Sequence, residues 1–186
     1  MTHDVASACH VLHQGGLILY PSDTLWGIGC DATQPNAVQR LYDLKQRPPH
    51  KPLLVLIDSP HKLLRYVHHV PRIAFQLLRV TSTPLTLVLP HAKNLAPQLL
   101  PSNRSLGIRV TREPFSHALC RAFGKPIVSS SANISGQPTP TRFALISPLI
   151  STGVDFIVSC RQNDPAPAAP SSIIQFLPDG SFAIIR

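Results

Sequence analysis

Residues 20–32 read YPSDTLWGIGCDA, and this stretch decides how the first part of the chain folds. The apolar residues 17–20 predict a strand, which stops at Pro21. Small hydroxyl residues and two glycines follow, and such a loop brings backbone N–H groups and hydroxyls close to a ligand. An Asx turn between two strands, in which Asp23 caps its own backbone, is typical of the same pattern. Both interpretations remain open from these residues alone.

Outward from this stretch, short apolar strands mingle with helical patterns along the whole chain. Hydrophobic runs predict strands at 17–20, 53–57, 85–89, 106–110, 126–129 and 156–159, with a closing hairpin of 173–176 and 182–185. Helical spacing predicts helices at 5–14, 35–47, 61–67, 72–80 and 115–123. The mixture predicts an α/β fold, one domain over residues 1–186, with a mixed rather than purely parallel sheet.

Composition narrows the function classes. Seventeen Lys and Arg against nine Asp and Glu give a formal net charge of +8, which favours an anionic partner such as a nucleotide or RNA. A basic surface that serves solubility alone is the alternative. The four cysteines form no CxxC pair, and their wide spacing is typical of reduced thiols in a cytoplasm. We expect no signal peptide, because the N-terminus has no basic n-region and no long apolar stretch. We expect no membrane span, because no run of 18 apolar residues occurs.

A cationic segment, KQRPPHK at residues 45–51, follows the second predicted helix. Cations at a helix C-terminus suit the helix dipole, so a structural role is available. The functional interpretation is a clamp on a triphosphate, where Arg and Lys neutralise charge. The segment is not a P-loop, because the pattern GxxxxGK[ST] is absent.

A third segment, SSSANISG at residues 129–136, follows an apolar strand. Hydroxyls, an amide and a glycine at a strand end suit a phosphate contact, although a polar turn has the same composition. The segment is not a GxSxG nucleophile elbow.

Taken together and in this order, the three segments resemble the YrdC/Sua5/TsaC family of threonylcarbamoyl-AMP synthases. The resemblance covers essentially the whole chain and looks like the short form without an extra C-terminal domain. It implies a twisted sheet with a concave, basic face. It also implies a nucleotidyltransferase that combines L-threonine, bicarbonate and ATP with magnesium, releases pyrophosphate and supplies the threonylcarbamoyl modification of tRNA.

The same resemblance implies a role for each matching residue. The catalytic pair, which holds the phosphates, would be Lys45 and Arg47. The threonine contacts would be Thr24, Arg109, Ser129 and Ser171, with Arg109 on the threonine carboxylate. The ATP contacts would be Arg47, Lys51, Ser105, Ser131, Asn133, Thr139 and Arg186. Partner proteins would transfer the threonylcarbamoyl group, direct tRNA contact stays open, and we expect a cytoplasmic protein.

The sequence departs from the family pattern in a few places. Leu56 stands where some members place a ligand-contacting histidine, and Ser22 replaces the commoner threonine. Ser172 and Gln175 also differ from the threonine and aspartate that are usual there, next to the predicted contact Ser171. We expect no protein metal site, since His61, His68 and His69 have no carboxylate or cysteine at ligand spacing. Trp26 is predicted to pack in the core, with a place in the site wall as the alternative.

Residues 161–170, RQNDPAPAAP, form the best candidate for a flexible loop. It is interpreted either as a plain linker or as a lid that protects a mixed anhydride from water. Two other functions stay open for the whole chain. One is an RNA-binding module without catalysis, and the other is a carbamoyl-adenylate domain like those inside hydrogenase-maturation proteins.

Overall fold

A computed structural model describes residues 1–49, 51–164 and 170–186. The helices are α1 Thr2–His13, α2 Pro35–Leu44, α3 Leu63–Tyr66, α4 Arg72–Val80, α5 Pro114–Phe123 and α6 Pro148–Gly153. The strands are β1 Ile18–Pro21, β2 Trp26–Gly29, β3 Leu54–Ile57, β4 Leu85–Leu89, β5 Leu106–Val110, β6 Ile127–Ser131, β7 Phe156–Ile157, β8 Ser172–Phe176 and β9 Phe182–Ile184. Short 3-10 turns lie at Pro60–Lys62, Pro97–Leu99 and Phe143–Leu145.

The nine strands form one mixed sheet in the order β7-β1-β2-β6-β3-β5-β4-β8-β9. β3 pairs with β5 in parallel and β4 with β8 in parallel, whereas β6 is antiparallel to both β2 and β3. Helices pack against this sheet, which confirms the α/β prediction and the mixed pairing. The closing hairpin of β8 and β9 is confirmed too.

The glycines of residues 20–32 lie in a strand and not in a ligand loop, so the loop interpretation is wrong for them. Gly27 and Gly29 belong to β2, which pairs with both β1 and β6. A Cβ atom at position 29 would lie 2.8 Å from Cε1 of Tyr20 and 2.8 Å from the carbonyl oxygen of Val128. The glycines therefore leave room for the Tyr20 ring to lie across β2.

Several predicted helix bounds differ from the structure. The helix predicted over 35–47 ends at Leu44, because Gln46 adopts a φ of 48° and the Arg47 N–H turns back to the carbonyl of Tyr42. Lys45 and Arg47 therefore lie in the loop that follows. The helix predicted over 61–67 is a 3-10 turn followed by α3, and α6 was not predicted. By contrast, α4, β4 and β5 have the predicted bounds.

Candidate active site

A cavity of about 420 Å³ lies between β5, β6 and the segments before β3 and β8, a volume in the usual range for small-molecule sites. It contains eight of the predicted contact residues, which are Thr24, Arg47, Arg109, Ser129, Ser131, Thr139, Ser171 and Arg186. A smaller recess of about 80 Å³ continues from it beneath Thr24 and Arg109, with Trp26 and Leu54 in its wall. Residues that are far apart in sequence thus converge on one space.

One side of the cavity, which we call the inner wall, consists of Arg109, Ser129 and Ser171. These side chains come from β5, from β6 and from the residue before β8, and they are only 5%, 8% and 2% exposed. Because strands fix the positions of these residues, their functional groups are held in place before any ligand arrives.

Arg109 is the charged group of the inner wall. Its Nε donates to Oγ1 of Thr86 at 3.1 Å, and its Nη2 donates to Oγ of Ser171 at 2.9 Å. Its Nη1 lies 3.9 Å from Oδ2 of Asp23. Burial lowers the pKa of Arg109 while the nearby Asp23 carboxylate acts in the opposite direction, and a guanidinium stays protonated in any case.

Asp23 does not cap its own backbone, so the Asx-turn interpretation is wrong in its detail. Its Oδ1 accepts from the backbone N–H groups of Arg112 and Glu113, and its Oδ2 accepts from the Thr111 hydroxyl. The local turn is held by Ser22, whose hydroxyl donates to the carbonyl of Leu25 at 2.6 Å. Asp23 therefore fastens the loop that carries Thr24 to the end of β5.

Ser129 is backed by the Tyr20 ring, which crosses β2 over the two glycines. Tyr20 is fully buried, and burial raises the pKa of its phenol, with Ser129 as the neighbouring hydroxyl. Within the described residues the Tyr20 hydroxyl has no hydrogen-bond partner. Tyr20 therefore supports Ser129 of the inner wall by packing beneath it.

The more exposed part of the lining, which we call the outer wall, consists of Arg47, Ser131, Thr139 and Arg186. These residues are half-buried or exposed. Arg47 donates from Nε to the carbonyl of Lys51 at 3.1 Å and from Nη2 to the carbonyl of Pro52 at 2.9 Å. Arg186 donates from Nε to the carbonyl of Ser171 at 3.1 Å. Cations on this side are thus held by backbone carbonyls.

Lys45 lies behind the outer wall and is not among the described residues that line the cavity. It is 1% exposed, and its Nζ donates to the carbonyl of Asn133 at 2.6 Å and to that of Ser131. Burial, followed by the charge of Arg47, lowers the pKa of Lys45 to about 8. In this structure Lys45 joins the 45–51 segment to the 129–136 segment.

Three further predicted contacts also lie outside the lining of the cavity, as far as the chain is described. The Asn133 amide closes a turn by donating to the carbonyls of Ile134 and Gln137. The Ser105 hydroxyl donates to the Asn103 side chain at 2.8 Å. Lys51 is exposed next to Pro52. Their predicted ATP contacts stay predictions.

Sequence reasoning missed Thr86, a buried hydroxyl that contacts both Arg109 and Ser171. A signal existed, because a single hydroxyl in the apolar run of β4 must find a buried partner. Leu56, the departure from the family histidine, is fully buried, and its neighbour Leu54 lines the cavity. Trp26 is buried and packs on Phe143 with ring centroids 4.8 Å apart, and it also lines the recess, so both its predicted place in the core and the alternative in the site wall are confirmed.

The remaining predictions concern metals, membranes and the 161–170 loop. Over 1–49, 51–164 and 170–186, no three His, Cys, Asp or Glu side chains converge as a metal ion requires. Within the same residues no helix combines the length and apolarity needed to cross a membrane. Arg161, at the start of the predicted 161–170 loop, pairs with Glu113 and Asp164, and residues 165–169 of that loop lie outside the described residues, so its role as a lid or a linker stays a prediction.

Comparisons with known proteins identify the family that the three sequence segments resemble. The family model Sua5_yciO_yrdC, described as telomere recombination, matches residues 10–186. A threonylcarbamoyl-AMP synthase of Pseudoalteromonas translucida is 40% identical over 138 residues, which is 73% of this chain and 74% of that protein. One of Xanthomonas campestris pv. campestris is 32% identical over 84% of this chain and 86% of its own length.

Solved structures extend the likeness to the fold. The structure of E. coli YciO has a TM-score of 0.84 and 25% identity, and the match covers 100% of this chain and 89% of that one. P. abyssi Sua5, solved as a complex with L-threonine, has a TM-score of 0.82 and 26% identity over 98% of this chain. This chain spans 53% of that Sua5 chain.

Proposed function

We propose that this chain, which belongs to the Sua5/YciO/YrdC family, makes threonylcarbamoyl-AMP from L-threonine, bicarbonate and ATP and releases pyrophosphate. Its curated relatives carry the name of that enzyme, and a structural relative was solved with L-threonine. The observation that carries the proposal is the cavity itself. A buried, pre-positioned guanidinium, Arg109, lines the same space as two less buried cations, Arg47 and Arg186.

The inner wall suits the amino acid. Arg109 offers a planar guanidinium to a carboxylate, an arrangement that can be bidentate. Thr24 and Ser129 line the adjoining recess, where hydroxyl and apolar groups are both available to a threonine side chain. A ligand with one carboxylate and one small side chain fits this combination.

The outer wall suits the phosphates. The cationic residues Arg47 and Arg186 neutralise negative charge, and the hydroxyls of Ser131 and Thr139 add hydrogen bonds. Magnesium enters as part of the MgATP substrate, with phosphate oxygens as its ligands, because the lining residues supply hydroxyls and cations.

The chemistry needs positioning more than protein nucleophiles. The threonine amine takes up bicarbonate and loses water to give a carbamate. A carbamate oxygen then attacks the α-phosphorus of ATP, the bond to the β-phosphate oxygen breaks, and pyrophosphate leaves. Arg109 would orient the carbamate through the carboxylate, and Arg47 would neutralise the charge that develops on the phosphates.

The product would feed the threonylcarbamoyl modification of adenosine in tRNA, through partner proteins that transfer the group. We also propose that the protein works in the cytoplasm. The net charge of +8 leaves direct contact with tRNA open as a further step.

The competing function is a basic RNA-binding module without catalysis. Electrostatic binding to a phosphate backbone does not require a guanidinium that is 5% exposed and held by two hydroxyls. The geometry at Arg109 therefore favours a small carboxylate ligand over a polyanion.

The test is a mass spectrum of the nucleotide product after incubation of the protein with ATP, magnesium, bicarbonate and threonine. The expected result is threonylcarbamoyl-AMP together with pyrophosphate, each dependent on threonine. An RNA-binding module would give no pyrophosphate. A carbamoyl-adenylate domain would release pyrophosphate without threonine, and either outcome would overturn the proposal.

A further inference from the structure

The side edge of the Arg109 guanidinium, formed by Nε and Nη2, is already occupied by the protein. Thr86 Oγ1 accepts from Nε at 3.1 Å and Ser171 Oγ accepts from Nη2 at 2.9 Å. The two hydroxyl oxygens are 3.1 Å apart and hydrogen-bonded to each other. They lie where the two oxygens of a carboxylate would lie in a side-on bidentate pair.

Only the other edge of the guanidinium, formed by Nη1 and the second hydrogen of Nη2, is then open for a bidentate ligand. Nη1 lies 3.9 Å from Oδ2 of Asp23, beyond hydrogen-bonding distance. Asp23 already accepts three hydrogen bonds from the segment after β5, so its carboxylate is engaged elsewhere. Because Arg109 lines the cavity, this free edge is the one left to pair with a carboxylate bound there.

We propose that Thr86 is a positioning residue for amino-acid binding, because it occupies Nε and forces the substrate carboxylate onto the Nη1/Nη2 edge of Arg109. This inference rests on the proposed function. Thr86 does not line the cavity within the described residues, so its influence passes through Arg109. The sheet holds Thr86 in place, since Thr86 on β4 pairs with Arg109 of β5 on one side and with Ile173 of β8 on the other.

Loss of the Thr86 hydroxyl would free Nε and leave a buried, charged donor without an acceptor. The guanidinium would then rotate about its side chain or compete for Ser171, and the edge that faces the cavity would lose its fixed direction. Without a fixed direction the guanidinium pairs less well with the substrate carboxylate, and we expect threonine binding to weaken about tenfold or more. We expect the loss to appear in threonine binding far more than in ATP binding, because Arg47 is held by carbonyls of its own loop and Arg186 contacts Ser171 only through the backbone carbonyl.

The experiment measures pyrophosphate release against threonine and ATP concentration for the wild type, Thr86→Val and Thr86→Ser. Thr86→Val keeps the shape and removes the acceptor, and we expect its KM for threonine to rise about tenfold or more with the KM for ATP little changed. Thr86→Ser restores the acceptor and should return the KM for threonine to within about threefold of the wild type.

A matched control removes a threonine hydroxyl that contacts neither Arg109 nor the cavity lining. The half-buried Thr33 donates from Oγ1 to Oδ1 of the buried Asp31 at 2.6 Å, so Thr33→Val should lower thermal stability and leave the KM for threonine unchanged. If a loss of stability alone raised the KM for threonine, the control variant and Thr86→Val would show the same rise. The split between threonine KM and ATP KM separates positioning from a purely structural role.

Each outcome decides the question. A folded Thr86→Val protein with a wild-type KM for threonine, or with equal losses for threonine and ATP, overturns the inference. If Thr86→Val does not fold, Thr86→Cys replaces it, since a thiol is a weaker acceptor of similar size and should raise the KM for threonine. A wild-type protein that releases no threonine-dependent pyrophosphate overturns the proposed function instead.

Discussion

The two walls of the cavity hold their cations in different ways. On the inner wall, Arg109 is held by two side-chain hydroxyls from elsewhere in the chain, Thr86 on β4 and Ser171 just before β8. On the outer wall, Arg47 is held by the carbonyls of Lys51 and Pro52 within its own loop. The inner wall thus depends on the identity of distant residues, whereas the outer wall depends mainly on the path of the chain.

This difference separates folding from binding. Any residue supplies a carbonyl, so the contacts of Arg47 survive many substitutions around it. The hydroxyls around Arg109 are buried and hydrogen-bonded to one another, so a change in one of them affects the others. We therefore expect outer-wall changes to affect catalysis alone and inner-wall changes to affect catalysis and stability together.

The largest expected effect is that of Arg47→Ala. Its contacts are local carbonyls on a half-buried loop, so folding should change little while phosphate binding weakens. A lost charge-assisted contact costs roughly 1.5–3 kcal/mol, or about 10- to 150-fold in binding. Pyrophosphate release at varied ATP and a thermal melt of the same sample measure the two effects.

A matched control for Arg47 is Arg121→Ala, which removes an exposed arginine of α5 outside the cavity. It should leave both turnover and melting unchanged. If Arg47→Ala turns over ATP as the wild type does, Arg47 is not a phosphate contact and the outer wall is wrongly assigned.

The next effect concerns the support beneath the inner wall. An alanine Cβ at position 29 would lie 2.8 Å from Cε1 of Tyr20, whereas one at position 27 would lie 3.6 Å from the same atom. Such overpacking costs about 1–3 kcal/mol, so Gly29→Ala should lower the urea midpoint clearly and Gly27→Ala less. Equal midpoints for the two variants would mean that the Tyr20 ring does not depend on the missing side chain.

A smaller effect is expected for Arg109→Lys. Lysine keeps the charge but has no planar fork, so the substrate carboxylate loses one of two hydrogen bonds. We expect the KM for threonine to rise about tenfold with a nearly unchanged KM for ATP, together with a lower melting temperature because Thr86 loses its donor. Equal losses for both substrates would place Arg109 in the nucleotide half of the site or in the fold.

The sequence predicts the bounds of β4, β5 and α4 because each is a run with clear hydrophobic spacing. It does not predict β2, because glycine is rare in strands. Here Gly27 and Gly29 leave space for the ring of Tyr20 on the neighbouring strand β1. The sequence also predicts a strand at 156–159, which the structure confirms as the shorter β7, paired with β1, whereas α6 lies where the local signal is weak.

For the candidate site, too, some residues could be predicted from the sequence and others could not. Motif resemblance names Arg47, Arg109 and Ser129, which do line the cavity. It cannot distinguish Lys45, which binds two carbonyls behind the wall, from Arg47 two positions later. Nor can it find Thr86, whose role arises only when β4 pairs with β5. Residues that act through tertiary contacts leave little trace in a local pattern.

The smallest expected effect is the pH dependence that comes from Lys45. Burial and the charge of Arg47 lower the pKa of Lys45 from 10.5 to about 8. Between about pH 8 and 10.5 the unfolded state then binds the proton more than the folded state, so the free energy of unfolding rises with pH. Below pH 8 both states carry the charge and this contribution is flat.

The contribution should stay modest, on the order of 1 kcal/mol or less, because the carbonyls of Ser131 and Asn133 accept from the charged amine and oppose its deprotonation. Urea midpoints at pH 8 and pH 10 measure it in the wild type, in Lys45→Met and in Lys51→Met, where the lysine is exposed. We expect the wild type and Lys51→Met to gain stability relative to Lys45→Met between the two pH values. The same pH dependence in all three proteins would show that Lys45 stays protonated throughout, and that its two carbonyl contacts outweigh its burial.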